Sequence, residues 1–440
     1  MKRKKNKLHG FVLGMVIMAL LVALAVPALA VTGRKQMEVD NTDIHLHVDG
    51  IPVSASPFAS GGTTYLPVRA VGEALGMDVR WDGPTHTVYI SDPTEPSTTN
   101  SNTSSTTVTG KQTIDVDYLD IKLVVNGKEV TPKDVNGNVV EPFAYNGTTY
   151  LPVRAVGEAL GKTVRWDGET KTVHLGELPQ GTYLVDVCKE ARVSTLTAAV
   201  YRAVDHEAFE YDGKRYSQGF KTDGHPEAFF ELGGKYESLT FDLLNSSDEN
   251  KLLVYLDGNL AQEIGEIQGG GTQVTVPLNY AQTICFKSEC RSSRDINKNK
   301  YVANAVLNGE RTVTKPVPPA NATYLVDVSG KGYMSAAAEN YWEDLFGNKY
   351  TNGGISCTVA LNGKYRTLKA TVIGRHSTFL NSSFGCLDKL TCEFSVDGET
   401  VKEIELSAAM GPQTIEIPLN YGMELEFQGR GVFVADAILE

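Results

Sequence analysis

TTYLPVRAVGEALG occupies Thr63–Gly76 and recurs, letter for letter, at Thr148–Gly161. VRWDG follows each copy, at Val79–Gly83 and Val164–Gly168, while the residues around these islands differ freely. The stretch reads as a strand that turns directly into a short helix. Pro67 suits the first helical position, where its missing N–H costs nothing. Ala70, Val71, Ala74 and Leu75 share one face, and Gly76 supplies a left-handed stop. Arg69 and Glu73 lie opposite, with the base N-terminal to the acid, the weaker order for a helix ion pair. Trp81 offers a large ring to cover so small a helix, and Pro152, Val156, Leu160, Gly161 and Trp166 repeat the arrangement.

Upstream, DIHLHVDGIPV (Asp43–Val53) alternates apolar and polar as a half-buried strand does, with a turn at Asp49-Gly50. DIKLVVNGKEV (Asp120–Val130) answers it in the second copy. PFASGGTTY and PFAYNGTTY lead into the islands, and TVYI or TVHL closes each copy. Copy two carries about eight extra residues around Lys133–Val140, at a hairpin tip where insertions are tolerated. Between the copies, SDPTEPSTTNSNTSSTTVTG (Ser91–Gly110) has no apolar periodicity and reads as a flexible tether.

A second, longer repeat fills the C-terminal half. TYLVDV stands at Thr182–Val187 and Thr323–Val328; GKYESLTF (Gly234–Phe241) matches GKYRTLKA (Gly363–Ala370). YLDGNLAQEI (Tyr255–Ile264) matches SVDGETVKEI (Ser395–Ile404), and VPLNY (Val276–Tyr280) matches IPLNY (Ile417–Tyr421). VANAVL (Val302–Leu307) matches VADAIL (Val434–Leu439). Short alternating runs broken by DG, NG and GG turns indicate antiparallel sandwiches. The Pro-rich KPVPPANA (Lys315–Ala322) between them is a stiff spacer.

The first thirty residues read as an export signal: five basic residues, an apolar run from Phe11 to Val26, then Ala28-Leu29-Ala30. Those five are among 41 basic side chains facing 53 acidic ones, so removing the leader deepens the net charge from −12 to −17. Such acidity argues against nucleic acid or anionic lipid as partner. The expected location is extracellular and cell-surface associated, with no membrane contact beyond the leader; the chain ends VFVADAILE without an LPxTG-type sorting signal. All six cysteines lie from Cys188 onward, within the two copies of the second repeat. Disulfides in one of 15 pairings and buried thiols both stand, since Cys357 and Cys392 alternate with apolar residues on strands.

YLPVRAVGEALG followed by VRWD and a TV-x-[IL] strand resembles the stalk-like N-terminal domain of copper amine oxidases, common in exported proteins of Gram-positive bacteria. The likeness covers about Met37–Ile90 and Thr113–Leu175. It implies a small α+β unit with a spacer or interaction role, and neither copper nor oxidase chemistry. The quinone precursor of those enzymes sits in a Thr-x-x-Asn-Tyr-acid context, which Asn279-Tyr280, Asn340-Tyr341 and Asn420-Tyr421 all lack. No cofactor is expected. His45 and His47 form a His-x-His, but copy two has Lys122 and Val124 there, so solvated strand residues are expected rather than metal ligands.

HPEAFFELGGKYESLTFDL, then V-x-LDG and a late VANA or VADA strand, resembles the NPCBM family of jelly-roll carbohydrate-binding modules, over about Gly181–Arg311 and Ala322–Glu440. In the second module Ser356-Cys357 replaces His-Pro, and Val302 and Val434 stand where the family often has Trp. A sugar site needs an aromatic ring against a pyranose face and planar polar groups for its hydroxyls. The second module offers Tyr333, Tyr341, Trp342, Arg375 and His376; the first offers Tyr201, His206 and His225 more weakly. Tyr341, Trp342, Leu345 and Phe346 also fit one apolar side of a short helix. Asp248, Glu249 and Asp257 lack calcium-loop spacing.

The expected fold is multidomain: two small α+β units (antiparallel sheet plus one helix), then two all-β jelly-roll-like sandwiches. Its segments are a signal peptide (1–30), unit one (37–91), a linker (92–112), unit two (113–176), sandwich one (181–312), a Pro-rich linker (313–322) and sandwich two (323–440). No stretch is left for a catalytic domain. The expected function is non-catalytic binding of polysaccharide, cell-wall or extracellular glycan, by the tandem sandwiches. The alternative is a structural or protein-adhesion scaffold without a sugar ligand.

Overall fold

The computed structural model describes residues 33–93, 110–134, 136–190, 199–222, 227–244, 250–265, 271–290, 300–314, 319–328, 331–335, 342–344, 346–374 and 387–440. The chain divides into two compact units, Met1–Pro179 and Gln180–Glu440. Among the described residues no helix is long and apolar enough to cross a membrane.

In the N-terminal unit, copy one contributes β1 (Gly33–Asn41), β2 (His45–Val48), β3 (Ile51–Val53), β4 (Phe58–Ser60), β5 (Thr63–Pro67), helix α1 (Val68–Ala74), β6 (Asp78–Asp82) and β7 (Thr87–Ser91). Copy two repeats the order as β8 (Gly110–Tyr118), β9 (Lys122–Val125), β10 (Lys128–Val130), β11 (Phe143–Tyr145), β12 (Thr148–Pro152), α2 (Val153–Ala159), β13 (Val164–Asp167) and β14 (Thr172–Leu175). The copies do not stand as two units, each with its own antiparallel sheet. β7 lies parallel beside β9 of the other copy, and β14 parallel beside β2. This gives two four-stranded sheets, β10-β9-β7-β6 and β13-β14-β2-β3, each with two strands from either copy. The remaining strands close a barrel in the order β1-β4-β5-β12-β11-β8. A unit of roughly 50 residues is marginal on its own, because it buries little apolar surface; crossing strands merges two marginal cores into one.

This topology explains the repeated island. β5 and β12 run antiparallel against each other, pairing Tyr65 with Pro152, Leu66 with Leu151 and Pro67 with Tyr150. TYLP therefore meets its own copy across a pseudo-two-fold axis, and a surface that packs on itself constrains both copies to compatible letters. Leu66 and Leu151 are fully buried in a core that draws Val71 and Val88 from copy one and Val156 and Val173 from copy two. The barrel interior is aromatic: Phe58 stacks on Tyr150 at 4.4 Å, and Tyr65 meets Phe143 at 5.0 Å. Burial pushes the phenols of Tyr65 and Tyr150 up to about 12.

Each helix turns at a left-handed glycine, Gly76 or Gly161, with φ of 70° and 67°. Pro67 and Pro152 fall just before the helices, as N-caps. The tryptophans do not cover them: Trp81 and Trp166 are 39% and 51% exposed. A seven-residue helix is only about 10 Å long, so it reaches Val79 but not the next residue on that strand face. The contact is close: a Cβ on Gly72 or Gly157 would meet Val79 Cγ2 at 2.0 Å or Val164 Cγ2 at 2.3 Å. Glycine inside a helix costs about 1 kcal/mol relative to alanine, and here it lets helix and strand touch.

His47 is not on a solvated face. It is buried, because β14 is paired alongside β2 with His174 opposite, ring edge to ring face at 5.3 Å. Burial, then the Arg165 charge, lowers the His174 pKa from its ordinary 6.5. A histidine whose pKa is lower in the folded state binds fewer protons there than in the unfolded chain. Its contribution to stability is therefore full above the unfolded pKa and is lost as pH falls through 6.5 towards the folded value. Copy one has Tyr89 at this place. We expect the urea midpoint of the N-terminal unit to fall between about pH 7 and pH 5, and His174→Tyr to flatten that slope; an unchanged slope in the variant would remove His174 from the effect.

The C-terminal unit contains two sandwiches. In the first, a sheet of Ala199–Tyr201, Gly219–Thr222, Lys300–Asn308, Ser238–Leu244 and Thr272–Pro277 faces one of Lys189–Glu190, Glu227–Glu231, Thr283–Cys290, Asn250–Leu256 and Asn259–Ile264. Phe220, Phe230, Phe241 and Phe286 fill the space between. The second repeats the plan around Phe394 and Phe427, except that the strand Gly353–Ala360 runs through a corner and joins both sheets. The DG turns are matched in role as well: Asp257 accepts from the backbone N–H of Gln282 and Thr283, and Asp397 from those of Met423 and Glu424. Asp257 thus serves a turn.

The Pro-rich segment is not all that joins the sandwiches. Phe229 and Cys285 of the first share a small core with Phe346 and Ala409 of the second. The Thr283 hydroxyl donates to the Ala409 carbonyl, and the Asn348 amide donates to Glu231 at 3.0 Å. Cys188, Cys285, Cys357 and Cys392 are buried; Cys386 and the Cys290 side chain lie outside the described residues. Burial pushes Cys188, Cys357 and Cys392 up to about 12, which leaves them unreactive.

Candidate functional site: an aromatic cluster on the first sandwich

FEYDGKRY (Phe209–Tyr216) folds as a hairpin, Phe209–Tyr211 against Lys214–Tyr216, turning at Asp212 and Gly213 with φ of 50° and 71°. Alternation puts Phe209, Tyr211 and Tyr216 on one side, and that side meets Tyr201 and Tyr301. Phe209 is the buried hub, at 6% exposure. It stacks on Tyr216 at 5.3 Å and on Tyr301 at 5.0 Å, and lies tilted against Tyr201 at 5.0 Å. Tyr211 leans on Tyr301 at 5.9 Å. Beneath them Leu244 and Ala303 are buried.

The outer rings remain accessible. Tyr201, Tyr211 and Tyr301 are half-buried, each with one side on the hub and the rest at the surface. Lys214 lies over the Tyr216 ring at 5.1 Å and Lys221 over Tyr301 at 6.0 Å. Such a platform offers apolar ring faces with phenol and ammonium groups beside them, the combination that holds a sugar ring. Rings locked on a buried base lose little rotamer freedom on binding.

Residues 47–175 match the copper amine oxidase N-terminal domain. The match runs as one span across both copies, as the shared core does. No curated protein matches the chain. Among solved structures the chain is similar to the tandem CBM51 modules of a family 98 glycoside hydrolase from Streptococcus pneumoniae, at 13% identity and a TM-score of 0.23, covering 59% of this chain and 99% of that one. It is similar to a CBM51 of Clostridium perfringens in complex with methyl-galactose, at 18% identity and a TM-score of 0.24, covering 29% of this chain and 100% of the other. A Clostridium perfringens CBM51-2 in complex with GlcNAc, with its INT domains, is similar at 16% identity and a TM-score of 0.23, over 40% and 43% of the two chains.

Of the residues singled out for sugar contact, Tyr201 falls within the cluster, whereas His206 is a left-handed residue closing a short turn and His225 lies outside the described residues. In the second sandwich Tyr341, Arg375 and His376 lie outside the described residues. Tyr333 belongs to the strand Lys331–Ser335, paired with Ser356. Trp342 is not in a helix: Trp342–Glu343 is a short strand paired with Lys349–Tyr350. Asp344 ties off that hairpin by accepting from the Phe346 and Asn348 backbones, both at 2.9 Å, and from the Tyr350 hydroxyl at 3.0 Å. Trp342 opposite Tyr350 repeats the register of Phe209 opposite Tyr216. Tyr211, Tyr216 and Tyr301 were missed; the one-sided aromatics flanking the DG turn of FEYDGKRY were the available signal.

Proposed function

We propose that this is an exported, non-catalytic glycan-binding protein of a bacterial surface, whose paired sandwiches engage polysaccharide and whose interleaved N-terminal unit presents them. The observation that carries the reading is the trio of half-exposed tyrosine rings, Tyr201, Tyr211 and Tyr301, mounted on buried Phe209. Methyl-galactose and GlcNAc, the sugars in the similar solved structures, are the first probes. Contacts between the sandwiches hold two modules on one body, so weak sites would add through effective concentration.

Affinity electrophoresis of the full chain across polysaccharide gels tests this. Tyr211→Ala and Tyr301→Ala should each weaken retention about tenfold, the loss of one ring contact of roughly 1.4 kcal/mol. Trp342→Ala should leave retention intact, because the rings that carry this reading lie on the first sandwich. Retention lost in Trp342→Ala alone would move the site to the second sandwich. Exposed Tyr421 and Met423, at 60% and 59%, favour the protein-adhesion reading, which absence of retention on every glycan would select.

A further inference from the structure

The pseudo-two-fold axis of the N-terminal unit relates pairs of positions that ought to look alike, and at one place they do not. In the arms, Arg34 and Asp117 form a two-pronged ion pair at 2.9 and 3.0 Å, whereas the equivalent Lys111 stands 3.8 Å from Asp40. Beyond the islands, Trp81 is capped by His86, whose ring lies flat on it at 6.0 Å and whose Nδ1 is 2.7 Å from the Leu119 carbonyl oxygen. Arg80 is folded over Tyr89 at 4.3 Å. The equivalents in copy two are Trp166, Lys171, Arg165 and His174. Among the described residues no imidazole caps Trp166 and no tyrosine lies against Arg165.

A cleft of about 770 Å³ opens at this place. It is composite, walled by Asp40, Thr42 and Ile44 of copy one and by α2, β13 and Val173 of copy two, so it exists only because the strands cross. Lys111, Lys133, Arg154, Arg165 and Lys171 line it, against two carboxylates, Asp40 and Asp134; just beyond the lining, Asp43 stands 3.7 Å from Lys171 and Glu158 3.8 Å from Arg154. Both lining carboxylates are already engaged, Asp40 by the Thr42 backbone at 2.9 Å and Asp134 by the Asn136 and Asn138 backbones at 2.8 and 2.9 Å. Five cations against these four carboxylates still leave a small local excess of positive charge in a chain of net charge −12, and low-dielectric walls concentrate its field on whatever enters.

We propose that this cleft binds an acidic polysaccharide, with a sugar ring on the face of Trp166 and its anionic group on Arg165 and Lys171. The half-open indole accounts for the ring and the surplus cations for the charge; an acidic peptide would need only the second. Nothing in this site depends on the tyrosine cluster of the first sandwich.

The test is retardation of the full chain in gels containing polygalacturonate, and in parallel a phosphate-bearing glycopolymer, against neutral dextran. Retention by either anionic polymer is expected, and the two arms tell carboxylate from phosphate. Arg165→Glu/Lys171→Glu and Trp166→Ala should each weaken it at least about tenfold with unchanged melting temperature, the side chains being exposed. Lys122→Glu/Lys128→Glu makes the same charge change outside the cleft and should cost little. Equal loss in that control would reduce the effect to net charge and overturn the inference. Displacement by poly-glutamate as effective as by polygalacturonate would overturn it too, in favour of an acidic protein. Loss of uronate binding in Tyr211→Ala would transfer the binding to the sandwich.

Discussion

Residues 33–93, expressed without the second copy, will not fold as a monomer. Alone, β2 loses its neighbour β14 and β7 loses β9. The long arm β1 loses all nine of its paired positions on β8. Leu46, Leu66, Val71 and Val88, each 2% exposed or less, would face water. Re-exposing such a side chain costs about 1.5–3 kcal/mol, so these four alone approach the whole stability of a small domain, about 5–15 kcal/mol. One folded outcome remains open to the fragment: because the island is identical in both copies, two fragments can associate with Leu66 against Leu66 and rebuild the barrel as a homodimer. Sedimentation and circular dichroism across a concentration series decide it. Unfolded chain, or a fold that appears only with dimer, is expected; a folded monomer would show that the strand exchange is dispensable. Leu66→Asp should then abolish the dimer as well.

The same identity explains what was legible in the sequence. Alternation, glycine stops and DG or NG turns mark local structure, and the chain honours them: Asp49-Gly50 and Asn126-Gly127 have positive φ, and Gly76 and Gly161 end their helices. What pattern cannot tell is which copy a strand pairs with. TVYI and TVHL carry the same face, as do their partner strands, so pairing within a copy and across copies read identically. The choice is made by total buried area, a property of the whole unit. Trp81 failed for a different reason. It shares a strand face with Val79, but covering it depends on helix length, and seven residues stop short. The aromatic cluster was legible in part, since Tyr201 stood out and FEYDGKRY did not until the hairpin brought its rings onto Tyr301.

Gly353→Ala should be among the most damaging single changes in the C-terminal unit. Both sandwiches place a glycine where one strand passes tightly over the strand that closes the fold. A Cβ on Gly353 would lie 2.0 Å from the Val434 carbonyl oxygen and 2.8 Å from Ala435 Cα; on Gly219 it would lie 2.3 Å from the Val302 oxygen and 3.0 Å from Ala303 Cα. These are backbone atoms, so no side chain can rotate away; the strand itself must shift. In the second sandwich that strand also turns the corner, pairing Gly354 with Val434 and then Ser356–Ala360 with the opposite sheet. Displacing it strains both ladders at once. A cost on the order of 3 kcal/mol follows, as for overpacking a tight core, or a melting temperature lower by about 10 °C. Gly219→Ala should behave alike and, because Phe209 Cε1 is only 3.2 Å from the added atom, should also disturb the aromatic cluster and weaken glycan retention. The two substitutions therefore separate roles: both should lower the melting temperature, but only Gly219→Ala should change binding. Equal retention in both, with equal loss of stability, would sever the cluster from ligand recognition.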